Sequence, residues 1–140
     1  MNRSLVTVAL VALIGFVDSA YLTYAHYLNA IVPCSVTHGC ETVLHSQYSM
    51  IGPIPLALFG VLFYLTIGFL ALYVATATRI SARHLFFLRV VGISGALMSI
   101  VFESVQIFVI HAICQYCALS ALCTFVICGL ILTIRATKHA

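Results

Sequence analysis

Apolar residues along the chain fall into four long runs separated by short polar stretches. The runs predict helices over about residues 5–28, 54–77, 85–110 and 114–134. Each is close to or longer than the roughly 20 residues that an α-helix needs to cross the hydrocarbon core of a bilayer. Four such runs in 140 residues leave too little chain to bury them inside a soluble protein. The pattern therefore predicts an all-α integral membrane four-helix bundle, with residues 1–140 forming one domain.

The run nearest the N-terminus has a rival interpretation as a secretory signal peptide. Such a peptide has a shorter apolar core and ends at a small-residue cleavage site. This run is longer, includes Asp18 and lacks an A-x-A-like cleavage site. We therefore expect a retained transmembrane helix.

The longest polar stretch, about residues 29–52, joins the first two runs. Within it, Cys40–Tyr48 is predicted to form a short helix on the membrane surface. Gly52, Pro53 and Pro55 then mark the entry to the second run, since proline suits the first turn of a helix. The stretch predicts a long loop between helices one and two.

Charge fixes the expected orientation in the membrane. Only 6% of the residues are charged, whereas a soluble domain has roughly 25%. With four crossings, both termini and the turn between helices two and three share one side, and all six basic residues fall on or near it. The positive-inside rule assigns that side to the cytoplasm, so the basic residues are a topology signal and no nucleic-acid partner is expected. They are Arg3, Arg79, Arg83, Arg89, Arg135 and Lys138.

This topology places four of the six cysteines on the non-cytoplasmic face, where disulfides persist. Cys114 and Cys117 form a C-x-x-C at the start of helix four. The positive end of a helix dipole stabilises a thiolate there, so the motif predicts a reactive pair. The alternative is two inert cysteines buried in an apolar helix.

Cys34 and Cys40 lie six residues apart in the polar loop. We favour a second redox-active pair, because two pairs on one face can exchange disulfides. A bracing structural disulfide is one alternative. A four-cysteine zinc site is another, although the C-x5-C spacing is wider than the usual C-x2-4-C, and no metal is expected. Cys123 and Cys128, deeper in helix four, are expected to be packing residues.

Polar residues also occur inside the predicted membrane segments. Asp18 is expected to be protonated or paired inward. Glu103 and Gln106 share a face of helix three, where Glu103 either relays protons or makes a helix–helix hydrogen bond. His111, three residues before Cys114, either stabilises its thiolate or is an ordinary interfacial histidine.

The combined motifs resemble the vitamin K epoxide reductase family, in particular the bacterial branch that replaces DsbB in disulfide formation. In DsbB the C-x-x-C precedes the second cysteine pair, and here it follows. The resemblance covers the loop, helix two and the start of helix four. It is carried by Cys34, Cys40-Glu41-Thr42-Val43-Leu44-His45-Ser46-Gln47-Tyr48, Gly52-Pro53-Ile54-Pro55, Phe59-Gly60 and Cys114-Gln115-Tyr116-Cys117.

The resemblance implies roles for the four outer cysteines. Cys114 and Cys117 match the family's catalytic pair, in which Cys117 reduces the quinone. Cys34 and Cys40 match the shuttle pair, which takes electrons from a thioredoxin-like partner such as a DsbA-type protein and passes them from Cys40 to Cys114. Ser46 matches a loop serine near the quinone end.

The resemblance also implies a bundle built around a quinone of the ubiquinone, menaquinone or vitamin K type. Phe59 and Phe63 match aromatic positions that line the quinone pocket. Gln106 is expected to donate a hydrogen bond to a quinone carbonyl. The expected quinone contacts are Leu44, Phe59, Phe63, Phe102 and Gln106.

Two departures from the vertebrate enzymes favour plain quinone reduction over epoxide reduction. Leu56 stands where they have an asparagine, and Ala121 where they have a tyrosine. The expected protein is thus a thiol oxidase of a bacterial inner membrane, whose partner is a separate chain. The competing function classes are a non-catalytic membrane protein with bracing disulfides and a redox-coupled transporter subunit.

Overall fold

Four membrane-length helices dominate the computed structural model, which describes residues 2–34 and 39–136; Lys138 of the predicted basic tail lies outside these ranges. By length and composition all four can cross a membrane. The predicted all-α four-helix membrane fold is therefore confirmed. The helices are α1 (Arg3–Leu28), α3 (Leu56–Thr76), α4 (Ala82–Val105, continued by a π-helical segment at Gln106–Ile110) and α5 (Gln115–Thr133).

The helices pack side by side, with α1 against α3 and α5, and α4 against α5 and α3. Their shared core contains a cluster of apolar side chains in which Leu5, Ile67, Leu88 and Ile127 are fully buried. Large apolar side chains also cover the outside, as Phe69 does with 75% of its surface exposed. Helices that are apolar all round fit a lipid environment, where the outer faces contact acyl chains.

The loop between α1 and α3 contains more structure than the sequence predicts. The surface helix expected over Cys40–Tyr48 is shorter, with α2 at Cys40–Leu44 followed by a 3₁₀ turn at Gln47–Ser49. Strands β1 (Met50–Ile51) and β2 (Ile54–Pro55) then form a two-residue antiparallel hairpin.

The hairpin moves the start of the second membrane helix from the predicted Ile54 to Leu56. Gly52 occupies the hairpin turn with a φ of +60°, which glycine adopts without steric cost. Pro55, with extended backbone, then caps α3.

The connection between α4 and α5 is short and unusual. The π-helical segment at Gln106–Ile110 ends at His111, whose backbone is left-handed with a φ of 58°. The amide of Ala112 donates to the Gln106 carbonyl oxygen at 3.1 Å, which closes the turn. This turn ends two residues before Cys114 and sets the direction in which α5 begins. π-Helical segments occur often at functional sites.

Candidate redox site

Cys114 is the N-cap of α5, so the C-x-x-C motif begins at the end of the helix that carries unpaired N–H groups. Its Sγ accepts a hydrogen bond from the Cys117 backbone N–H at 3.4 Å. A cysteine sulfur therefore takes the place of the oxygen of a usual N-cap side chain. A thiolate is stabilised in this position by the N–H group and by the helix dipole.

The surroundings of Cys114 favour its ionised form. The hydrogen bond with the Cys117 thiol lowers the pKa of the Cys114 thiol, burial opposes this effect, and the backbone N–H groups of Cys117 and Tyr116 support it. The net pKa is below that of an ordinary cysteine. The predicted reactive character of the motif thus has a local physical cause.

Gln106 holds the backbone in front of the motif. Its side chain is fully buried, and its Oε1 accepts a hydrogen bond from the Cys114 N–H at 2.9 Å. Its Nε2 donates to Glu103 Oε1 at 3.0 Å. One amide side chain therefore connects the first residue of the motif to a carboxyl group of α4.

The loop cysteines form a pair of their own. Cys34 and Cys40 are joined by a disulfide, with their Cα atoms 5.9 Å apart. Glu41 Oε1 accepts a hydrogen bond from the Val32 N–H at 2.6 Å, which ties the two sides of this loop together. The pairing fits both the redox-active and the bracing interpretation.

The two cysteine pairs meet in one apolar cluster. Cys40 and Cys114 are both fully buried in it, and Cys34 and Cys117 pack against it. Tyr116 adds a polar link, because its hydroxyl donates to the Pro33 carbonyl oxygen at 2.7 Å. Residues adjacent in sequence to each pair are thus hydrogen-bonded to each other, which favours disulfide exchange between the pairs.

The exposure of the four sulfurs follows an order. Cys34 is half-buried, and Ile31, three residues before it in the chain, is 84% exposed. Cys40 and Cys114 are closed off from solvent. Cys117 is again half-buried, and it borders a cavity inside the bundle.

That cavity has a volume of about 470 Å³ and is lined by residues of α1, the loop, α3, α4 and α5. Its size lies within the range of about 300–1,000 Å³ that is typical of small-molecule sites. Most of the wall is apolar or aromatic. Its polar groups include His26, Tyr48, Ser49, Ser94, Ser99, Glu103, Ser120 and Thr124.

Most of the predicted quinone contacts meet at this wall. Leu44, Phe59, Phe63 and Phe102 all line it, although they come from the loop, α3 and α4. Leu56 and Ala121, the positions that depart from the vertebrate pattern, line it as well.

Two predicted residues are not brought to the wall. Both polar atoms of the buried Gln106 amide bind within the protein, to Glu103 and to the Cys114 N–H, so Nε2 is not free for a quinone carbonyl. Ser46 Oγ donates to the Val43 carbonyl oxygen at 2.8 Å in the turn after α2. Ser49, three residues later, is the loop serine that lines the cavity.

Sequence reasoning missed the deep polar end of the cavity. The Tyr64 hydroxyl lies 2.6 Å from the Ser120 carbonyl oxygen and 2.9 Å from Thr124 Oγ1, linking α3 to α5. Gly15 on α1 leaves room for the Tyr64 ring, since a Cβ atom there would overlap it. Tyr64 lies in an apolar run, and its partners on α5 are 56 and 60 residues away in the chain, so no local pattern pointed to them.

A glycine also shapes the aromatic wall. A Cβ atom at Gly95 of α4 would overlap the ring of Phe63 from α3. The glycine therefore lets two helices approach closely at the cavity, with the aromatic ring between them. Small residues serve this purpose in membrane helix packing generally.

The remaining cysteines lie away from this arrangement. Cys123 is buried in the apolar core and Cys128 is half-buried on α5. Among residues 2–34 and 39–136, no group of three or more His, Cys, Asp or Glu side chains is placed to hold a metal ion.

Comparison with known proteins supports a family assignment. A search of curated proteins found no match. The family model described as "Vitamin K epoxide reductase family" matches residues 6–132, which include both cysteine pairs and nearly all of the four long helices. The chain therefore belongs to the vitamin K epoxide reductase family, a family of membrane thiol oxidoreductases.

Proposed function

We propose that this protein is a thiol oxidase that passes electrons from a thioredoxin-fold partner through two cysteine pairs to a membrane quinone. The observation that carries the proposal is the order of exposure of the sulfurs. An accessible Cys34 is followed by the buried Cys40 and Cys114, and then by Cys117 at the cavity. A bracing disulfide needs neither a second reactive pair nor a cavity beside it.

Electrons enter at the loop pair. A partner thiolate attacks Cys34, the more exposed sulfur, and Cys40 leaves as a thiolate. A second partner thiol then releases Cys34, so the partner gains a disulfide and the loop pair becomes a dithiol. Family members in general work with thioredoxin-like partners, and a DsbA-type protein is the partner we propose here.

Transfer to the inner pair is a disulfide exchange. The Cys40 thiolate attacks Cys114 of an oxidised Cys114–Cys117 pair, and Cys117 leaves as a thiolate. Cys34 then attacks Cys40, which restores the loop disulfide and frees Cys114. The depressed pKa of Cys114 makes it a good leaving group in this second step.

The cavity fits a quinone head group in size and in chemistry. Phe59, Phe63 and Phe102 offer aromatic and apolar contact, and Cys117 borders the same space. A quinone bound there would accept two electrons and two protons. Because Leu56 and Ala121 offer no hydrogen bond at their positions, we propose plain quinone reduction with tolerance of ubiquinone, menaquinone and vitamin K type rings.

For orientation, we propose that the termini face the cytoplasm and the cysteine pairs face the periplasm of a bacterial inner membrane. The basic residues near the chain ends and the α3–α4 turn support this direction through the positive-inside rule. An oxidising compartment on the cysteine side is also where partner disulfides persist.

The decisive experiment uses the purified protein, a reduced DsbA-type partner and a soluble quinone under anaerobic conditions. We expect loss of partner thiols to match quinol formation over many turnovers. Cys114→Ser and Cys117→Ser should each abolish it, whereas Cys128→Ala, in the same helix but away from the cavity, should retain it. Equal partner oxidation without quinone, or full activity in Cys117→Ser, would exclude the proposal.

A further inference from the structure

The acidic residue at the cavity is placed where proton transfer is needed. The sequence has three acidic residues, and the structure describes all of them. Glu41 lies on the outer surface helix α2, and Asp18 is buried in α1 without bordering the cavity. Glu103 lines the cavity together with Cys117 and the aromatic side chain of Phe102.

One oxygen of the Glu103 carboxyl group accepts a hydrogen bond, and the other has no hydrogen-bond partner among the described residues. Gln106 Nε2 donates to Oε1 at 3.0 Å, and the other end of the same amide accepts from the Cys114 N–H at 2.9 Å. Within the described ranges, Oε2 of Glu103 takes part in no hydrogen bond. This arrangement is an intrahelical hydrogen bond, not the helix–helix bond considered from sequence.

We infer that Glu103 is the proton donor to the electron acceptor in the cavity, with Gln106 as the positioning residue that fixes its carboxyl group. The inference rests on the proposed function and extends it by one catalytic residue. Gln106 also joins this group to the inner cysteine pair, so it links the site of proton transfer to the site of disulfide formation.

The chemistry balances without any added reactant. Oxidation of the inner dithiol breaks the S–H bonds of Cys114 and Cys117, forms one S–S bond and releases two electrons and two protons. Reduction of a quinone to a quinol consumes the same two electrons and two protons. Glu103 gives a proton to each of the two acceptor oxygens in turn and is reprotonated each time by a proton released from the inner dithiol, so it returns to its starting state.

A local donor is needed because the cavity wall is mostly apolar and lies inside the bundle. Other titratable groups also face this space: His26 from α1, Tyr48 from the loop, Tyr64 from α3 and Cys117 from α5. Tyr64 is engaged with Ser120 and Thr124 at the deep end. His26 and Tyr48 are therefore the rival proton donors that the experiment must separate from Glu103.

The first measurement compares quinol formation by the wild type with that by Glu103→Gln, His26→Gln, Tyr48→Phe and Ser104→Ala. The glutamine keeps an oxygen for Gln106 but carries no transferable carboxyl proton. Loss of a general acid costs about 100-fold or more in rate, and we expect that loss in Glu103→Gln. Ser104→Ala, one residue away on α4 with its hydroxyl bonded to the Ile100 carbonyl oxygen, should keep the wild-type rate.

The second measurement needs no quinone. An infrared difference spectrum between the disulfide and dithiol forms of the inner pair should contain a carboxyl C=O band, because Gln106 connects Glu103 to Cys114. We expect Glu103→Gln to remove this band and Glu41→Gln to leave it.

The outcomes distinguish a failure of the proposed function from a failure of the role inferred for Glu103. If the wild type reduces no quinone, the proposed function fails, and the inference with it. If the wild type is active and Glu103→Gln keeps the full rate, or if His26→Gln or Tyr48→Phe alone removes it, the inference alone is overturned. The same holds if the carboxyl band survives in Glu103→Gln.

Discussion

Gly39 and Ile113 meet backbone to backbone, so closely that a Cβ atom on Gly39 would lie 2.6 Å from the Ile113 carbonyl oxygen and 2.8 Å from its nitrogen. Each of these residues directly precedes a cysteine of the exchange step, Cys40 in one case and Cys114 in the other. The contact brings the loop pair against the inner pair. The backbone of Gly39 has a φ of −104°, which any residue adopts. Glycine is therefore needed here because a side chain would not fit, and not for its backbone conformation.

Gly39→Ala should therefore slow electron transfer between the pairs without unfolding the protein. The added methyl group must push the loop away from the α4–α5 connection, because backbone atoms oppose it on the other side. A misplacement of about 1 Å can cost on the order of 100-fold in rate. We expect a loss of that order in turnover.

The transfer step itself is measured by trapping. In a Cys34→Ser/Cys117→Ser background, mild oxidation should join Cys40 to Cys114, and Gly39→Ala should slow the formation of this bond. Gly129→Ala is the matched control, because a Cβ atom there meets nothing within 4 Å. Equal trapping rates in the Gly39 and Gly129 variants would show that the contact does not position the cysteines.

The order of the relay predicts different defects for the two loop cysteines. Cys34→Ser removes the accessible sulfur but leaves Cys40 in contact with the inner cluster. A small dithiol reductant should then still deliver electrons to the cavity through the inner pair, whereas oxidation of a protein partner stops. Thiol titration of each electron donor measures the difference, and undiminished partner oxidation by Cys34→Ser would contradict the order.

Much of the architecture follows from patterns that act over short distances. Four apolar runs identify four membrane helices because length and hydropathy decide that question almost alone. The C-x-x-C at the start of α5 identifies a reactive pair because the N-terminus of a helix has a known effect on a thiol. Cys114 indeed occupies the N-cap position.

What the sequence did not reveal depends on tertiary register. Ser46 and Ser49 lie in the same polar loop, and only the exact turn after α2 decides that Ser49 faces the cavity. Gln106 has the right chemistry to bind a quinone, but the π-helical segment directs its amide to Cys114. The close approaches at Gly39 and Gly95 join segments far apart in the chain, which no local pattern encodes.

Gly95→Ala should weaken quinone binding by displacing Phe63. The new Cβ atom would overlap the Phe63 ring, which lines the cavity. Overpacking costs about 1–3 kcal/mol, and 1.4 kcal/mol corresponds to about tenfold in Kd. Calorimetric titration with quinone should show a shift of this order, whereas Gly129→Ala, where a Cβ atom meets nothing within 4 Å, should show none. Unchanged Kd in Gly95→Ala would mean that the ring is not a quinone contact.

The proposed orientation predicts one-sided labelling. After reduction of whole cells, a membrane-impermeant thiol reagent should modify Cys34, which is half-buried in the loop between α1 and α3. A cysteine introduced at Arg79, in the α3–α4 turn on the opposite side, should react only after the inner membrane is opened. The reverse pattern would place the cysteine pairs in the cytoplasm and would contradict the periplasmic assignment.

Cys117→Ala should raise the pKa of Cys114, while Cys117→Ser should not. The hydrogen bond with the Cys117 side chain is the largest cause of the low Cys114 pKa, and a serine hydroxyl can replace the thiol as donor. The backbone N–H of residue 117 still reaches Cys114 Sγ in both variants, so the two differ mainly in that one bond. Loss of a group that stabilises the thiolate moves the midpoint of ionisation to higher pH.

The measurement is the ultraviolet thiolate absorbance followed against pH. Cys34 and Cys40 are replaced by serine, and Cys123 and Cys128 by alanine, so that Cys114 is the single thiol. A Cys114→Ser reference subtracts the seven tyrosines. A midpoint at higher pH in the alanine variant than in the serine variant is expected. Coinciding midpoints would mean that the helix N-terminus alone activates Cys114, and that Cys117 serves only as its redox partner.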